Sequence, residues 1–236
     1  MPSPINVVTK SSGSEFVPPL EPGDRLSRAE FERRYEAMSH IKKAELIEGV
    51  VYMPSPVRFS RHGQPHSSLI TVLGIYSGST PGVLMADNAT VRLDLVNEPQ
   101  PDALLLIDPA CGGQTRISED DYIERAPELV AEISSSSVSF DLNTKLAVYR
   151  RSGVREYLVW RVLDQQFDWF VLTNDEYQRL NLDYDGILKS PGFPGFWLDA
   201  AALLRGDQAR ALDVVRQGVA SPGHAEFVHQ LAAKRC

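Results

Sequence analysis

Apolar positions change period along this chain, and the changes read as alternating strands and helices. Ser27 stands three residues before Glu30, a capping-box spacing that predicts a short helix to about Met38. Residues 43–53, KAELIEGVVYM, are apolar and β-branched around Gly49 and predict a hairpin or bent strand pair. Residues 54–65 read as a loop. Residues 66–76 place Leu69, Ile70, Leu73 and Tyr76 or Ser77 on one helical face. A meander follows: 83–86 and 90–95 alternate, while Ala103–Ile107 and 128–133 are continuous apolar runs of the buried-strand type. A helix is predicted over 141–151, stopping at Gly153. Residues 154–160 and 167–172 form a last strand pair, and helices are expected near 207–219 and 222–234. The expected fold class is α/β: a mixed sheet of four or five strands flanked by helices, with a helical C-terminal tail. Residues 1–24, rich in Pro, Ser and Gly, read as a flexible arm. Residues 25–200 form the main domain and 201–236 a helical extension.

Composition narrows the function. The chain has 236 residues, 24 Lys+Arg against 31 Asp+Glu, and a net charge of −7. That balance argues against broad coating of nucleic acid but leaves room for a local basic groove. No run of about 18 apolar residues exists, so a membrane span is not expected. The start of the chain has no basic-then-apolar leader pattern. The two cysteines, Cys111 and Cys236, exclude a disulfide framework or a Cys-rich zinc site. The expected compartment is the cytoplasm.

The chemistry rests on carboxylates in apolar surroundings. Asp102 follows Pro101 and opens an apolar strand, and Glu132 lies inside another, LVAEI. A carboxylate there is costly unless it is paired, hydrogen-bonded or bound to a cation. Two of them on consecutive strands offer oxygen ligands to Mg²⁺ or Mn²⁺. Asp141, Lys145 and Tyr149 repeat at four-residue spacing on the next helix, so Lys145 reaches the carboxylates if that helix packs back on the sheet. Each residue also has an ordinary reading. Asp102 suits a turn at the start of a strand, and Lys145 a solvated helix face.

Pro101-Asp102, Glu132-Ile133-Ser134, Asp141-x-x-x-Lys145-x-x-x-Tyr149 and Gly153-Val154-Arg155-Glu156-Tyr157 together resemble the Uma family of restriction-type endonucleases, within the PD-(D/E)XK nuclease superfamily. Glu45-Leu46-Ile47-Glu48-Gly49 and the helix near His66 also match. The resemblance spans roughly residues 25–200. It implies a restriction-endonuclease-like fold and a metal-dependent endonuclease on DNA. Asp102, Glu132 and the Ile133 carbonyl would be metal ligands, and Asp102, Glu132, Lys145 and Glu45 the catalytic set. Ser134 stands where the superfamily usually has its lysine, and Lys145 matches the lysine on the following helix. Glu48 is a neighbouring alternative to Glu45. A homodimer is expected, because cutting a duplex takes two sites. Two other functions stay open: a non-catalytic nucleic-acid- or protein-binding module on the same fold, and a phosphodiesterase on RNA or a small nucleotide.

Other candidates carry less. His62 and His66 have the spacing of a zinc pair without a third ligand, and His66 also suits a helix start or a partner behind the metal ligands. Asp87 points to the same cleft or to a turn. Asp120-Asp121 suits a solvated helix start. Arg150, Arg151, Arg155 and Arg161 form a basic cluster suited to phosphates or to a helix C-terminus. Trp160, Trp169 and Trp197 suit core or a dimer surface.

Overall fold

The computed structural model describes residues 16–54 and 56–235. Ser27 caps α1 (Arg28–Glu36), its hydroxyl accepting the Glu30 N–H. β1 (Glu45–Ile47) and β2 (Val50–Tyr52) pair antiparallel. Glu48 and Gly49 between them take positive φ of 54° and 73°, the left-handed pair that a two-residue reversal needs. The region read as a loop to residue 65 is partly helical. A π-helical turn, Phe59–Gly63, runs directly into α2 (Gln64–Gly78).

β3 (Val83–Asp87), β4 (Val91–Arg92), β5 (Ala103–Ile107), β6 (Arg116–Ile117), β7 (Ile123–Glu124) and β8 (Leu129–Ser134) follow. Asp120 and Asp121 lie in the reversal between β6 and β7 rather than at a helix start. Asp121 has a φ of 66°, which an α-helix excludes. A continuous helical run then comprises α3 (Val138–Phe140), a second π turn (Asp141–Lys145) and α4 (Leu146–Ser152). Gly153 ends it in the left-handed conformation. β9 (Glu156–Arg161), β10 (Gln166–Thr173), β11 (Glu176–Arg179), β12 (Leu188–Lys189), β13 (Trp197–Leu198), α5 (Ala200–Leu204), α6 (Gln208–Val219) and α7 (Pro222–Lys234) complete the chain.

The main sheet is mixed and has six strands, in the order β11-β10-β9-β8-β5-β3. β8 and β9 run parallel, joined by the helical run 138–152, and the other neighbours are antiparallel. The expected four or five strands omit β11. Its sequence, EYQR, carries no apolar alternation, and it is recruited by the tight Asn174-Asp175 reversal, where both residues have positive φ. β4, β7 and β6 form a separate small sheet, and β12 pairs with β13.

One sheet face packs on α2 and the C-terminal helices. Ala103, Leu105, Ala131 and Trp169 meet Leu69, Leu73, Tyr76, Val215, Phe227 and Leu231. The residues expected as a C-terminal extension therefore help to build the main core. The opposite face buries Val130, Tyr157, Val159 and Phe170 against Tyr149. Residues 1–15 of the expected arm lie outside the described residues. Of its remainder, Leu20 is buried in the cluster of Phe31 and Leu46, and the Gly23 N–H donates to the Val51 carbonyl. Among the described residues, no helix is long and apolar enough to cross a membrane.

Several buried carboxylates outside the sheet's end are held by donors alone. Glu128 accepts the N–H groups of Ile107 and Gln114. Glu156 accepts Trp169 Nε1, Ser190 Oγ and the Gly192 N–H. Glu98 differs, because its neighbours include Glu32 as well as Arg92 and Arg28. Burial first, then Glu32, pushes its carboxyl up from 4.5 to about 8. A raised carboxyl stabilises the fold below its unfolded pKa, and that contribution is lost as pH rises toward the folded value, by ~1.4 kcal/mol per unit. Glu98→Gln is expected to lose less stability than the wild type between pH 5 and 8 in urea titrations.

Gly218, inside α6, packs against the 195 loop, and a Cβ there would fall 2.1 Å from the Gly195 carbonyl oxygen. Helix propensity favours alanine by about 1 kcal/mol, but the backbone clash is larger. Gly218→Ala is expected to destabilise by about 1–3 kcal/mol in the same titrations.

Candidate active site

In the β5–β8 ladder Ala103 stands opposite Ala131 on the α2 face. One step along, the pleat turns Asp102 and Glu132 to the other face, as cross-strand neighbours. The Ile133 N–H donates to Asp102 Oδ2 at 2.8 Å and locks that aspartate against β8.

Three elements supply cations and imidazoles around Asp102. Lys43, just before β1, puts Nζ 3.1 Å from Asp102 Oδ1 and 3.0 Å from Asn88 Oδ1. His62, in the first π turn, places Nε2 3.1 Å from Asp102 Oδ2. One turn on, His66 Nε2 lies 2.9 Å from the Asp102 carbonyl and 3.0 Å from Asp87 Oδ1. Both acceptors require His66 to carry its proton on Nε2. The two imidazoles stack with centroids 5.5 Å apart. Each imidazole thus has a carboxylate partner, Asp102 for His62 and Asp87 for His66. Among the described residues, no three His, Cys, Asp or Glu side chains gather at metal-binding spacing.

Glu132 is organised from the other side. Lys145, in the second π turn, donates from Nζ to Glu132 Oε1 and to Glu45 Oε1, both at 2.9 Å. Tyr149, four residues on, donates its hydroxyl to Glu132 Oε1 at 2.9 Å. Glu45 Oε1 also accepts the Gln100 N–H. Glu45 thus faces the site, whereas Glu48 sits exposed in the reversal and pairs with Arg151. No described residue donates a hydrogen bond to Glu132 Oε2.

The two central carboxyls are pushed apart. Burial raises Asp102, but the His62 hydrogen bond, the Lys43 charge and the Ile133 N–H outweigh it and hold the carboxyl well below the usual range. Burial pushes Glu132 up to about 8, opposed by Lys145 and reinforced by Asp102, Asp141 and Glu45. Burial works to lower both lysines. The surrounding carboxylates overcome it and keep Lys43 and Lys145 charged. Opposed environments on neighbouring titratable groups are characteristic of sites that handle protons and charge.

Sequence reasoning overlooked Lys43. The available signal was its position two residues before Glu45, which on an extended chain turns both side chains to one face. The arginine cluster behaves differently from its phosphate-binding reading. Arg150 pairs with Glu176, Arg151 with Glu48 and Arg161 with Asp168, while Arg155 donates to Gln114. Trp160 and Trp169 are buried in the core.

Removing one partner of a buried ion pair leaves the other charge uncompensated. Lys145→Met strands two carboxylates and is expected to lower stability by about 3–5 kcal/mol by chemical denaturation. Lys43→Met acts at a more exposed ammonium and is expected to cost less than Lys145→Met.

Several comparisons bear on this geometry. The chain matches no curated protein at a significant level. A crystal structure from Anabaena variabilis ATCC 29413, described as a putative nuclease belonging to DUF820, superposes with a TM-score of 0.53 at 14% identity. The match covers 73% of this chain and 96% of that one. At this identity the likeness speaks for a shared fold. The model of the Uma2 family, described as "Putative restriction endonuclease", matches residues 28–201, which include all the site residues above. The chain belongs to the Uma2 family.

Proposed function

We propose that the chain is a metal-dependent endonuclease that hydrolyses phosphodiester bonds of DNA, with Asp102 and Glu132 as the acidic centre. The observation that carries this reading is the cross-strand placement of Asp102 and Glu132, with Lys43 and Lys145 compensating them from opposite sides. The donor set is all oxygen: Asp102, Glu132 and the Ile133 carbonyl. That suits a hard divalent cation, Mg²⁺ or Mn²⁺, which keeps several waters and needs few protein ligands. When bound, such an ion supplies an activated water and polarises a phosphoryl oxygen.

The remaining tasks fall to this chain's own residues. Lys43 has the more exposed of the two ammonium groups, with a side chain 23% accessible against 5% for Lys145. Lys43 meets the phosphoryl oxygens and offsets the charge that builds on them. Lys145 and Tyr149 fix Glu132 through one oxygen and leave the other free of described donors, available to a cation. His62 and the Ile133 N–H hold Asp102 ionised and oriented. Lys145 is therefore a positioning residue, as is Glu45, which shares its ammonium. On this reading the activity is cytoplasmic, and cutting both strands of a duplex calls for a two-fold dimer.

The full-length chain, incubated with plasmid DNA, is expected to cleave in Mg²⁺ or Mn²⁺ and not in EDTA. Asp102→Asn and Glu132→Gln are each expected to slow cleavage by about 100- to 1,000-fold. Cleavage that persists in Asp102→Ala would contradict the reading. Absence of cleavage and of Mn²⁺ binding in the wild type would favour a non-catalytic module on this fold.

A further inference from the structure

The turn that carries His62 to Asp102 begins with apolar side chains that no core cluster takes up. Val57 and Phe59 are 67% and 77% exposed, and Arg58 and Arg61 between and beside them are exposed as well. Neither arginine side chain has a hydrogen bond or ion pair with any described residue. Arg150, Arg151 and Arg161, by contrast, all close ion pairs within the chain. In a protein of net charge −7, two guanidinium groups without a partner among the described residues, flanking an exposed aromatic ring, form a local cationic surface.

Its position relative to the acidic centre is fixed by the backbone. The Arg58 carbonyl accepts the N–H groups of His62 and Gly63 at 3.0 and 3.1 Å, and the Phe59 carbonyl accepts the Gln64 N–H. His62 in turn reaches Asp102. Phe59 and His62 are three residues apart in the same turn, so the exposed ring and the imidazole that reaches Asp102 belong to one short stretch of backbone.

Resting on the nuclease reading, we propose that residues 57–61 receive the substrate strand. Phe59 stacks on a base adjacent to the scissile phosphate, and Arg58 and Arg61 hold backbone phosphates on either side of it. An aromatic ring reaches a base face only where the base has left the stack, so the strand received here is single. Guanidinium groups supply the phosphate contacts, and the interleaved ring supplies sequence-tolerant stacking.

The test is fluorescence anisotropy of the full-length chain in EDTA, with a labelled oligo(dT) strand and the same strand in duplex. Phe59→Ala is expected to weaken single-strand binding by about 10-fold and to leave duplex binding unchanged. Arg58→Ala/Arg61→Ala is expected to lower the slope of log affinity against log salt by about 1.4. Arg216→Ala, on α6 and paired with Asp213, is expected to change neither. Wild-type affinity in all of these variants, or no binding by the wild type, would overturn the proposal. An equal Phe59→Ala loss on duplex would overturn its unstacked base. Cleavage in Mg²⁺, run in parallel, separates the two claims. Strand binding through these residues in a chain that cleaves nothing refutes the nuclease and keeps the surface. Cleavage indifferent to all three substitutions does the reverse.

Discussion

Lys145 puts one ammonium between Glu132 of the central strand β8 and Glu45 of the hairpin strand β1, 2.9 Å from each. All three side chains are almost fully excluded from water, so removing the ammonium would strip both carboxyl groups of the donor they share. The contact also joins three elements that are distant in sequence: the hairpin, the sheet and the helical run that links β8 to β9. The arrangement of the site and the packing of that helix are thus the same constraint. The two π turns, Phe59–Gly63 and Asp141–Lys145, each carry a side chain that reaches a central carboxylate, His62 in one and Lys145 in the other. Such widenings of a helix recur where a side chain must be re-aimed for function.

Asp102 and Glu132 are neighbours across a ladder yet live in opposite environments. Asp102 is surrounded by donors and stays ionised, whereas Glu132 is dominated by burial and by other carboxylates. The contrast with Glu128 and Glu156 is chemical. Those carboxylates accept two or three hydrogen bonds each from elements they tie together, and they face no lysine. Glu132 instead shares one oxygen between Lys145 and Tyr149 and leaves the other without a donor among the described residues.

Much of this was legible in sequence where local physics decides. The Ser27 cap, the Gly49 reversal, the end of a helix at Gly153 and the buried runs of β5 and β8 all follow from short-range rules. A glutamate inside LVAEI marked itself by its cost. What escaped depends on long-range pairing. The polar strand β11 exists because β10 offers an edge and Asn174-Asp175 a tight reversal. The C-terminal helices read as an extension because their apolar stripes do not announce which surface covers them, and that surface is the main sheet with α2. Lys43 was missed because a lysine before a strand is ordinary until a partner is placed beside it, and Asp102 is 59 residues away.

The central claim is that Asp102 and Glu132, and not the other buried carboxylates, present oxygen to a divalent cation. The most direct measurement is Mn²⁺ titration of the uniformly ¹⁵N-labelled chain, following paramagnetic broadening of backbone amides. The account predicts selective loss of the Asp102, Glu132 and Ile133 signals at low Mn²⁺, with those of Glu128 and Glu156 intact. Broadening centred on the exposed acids, such as Asp120 and Asp121, with Asp102 and Glu132 unaffected, would contradict it.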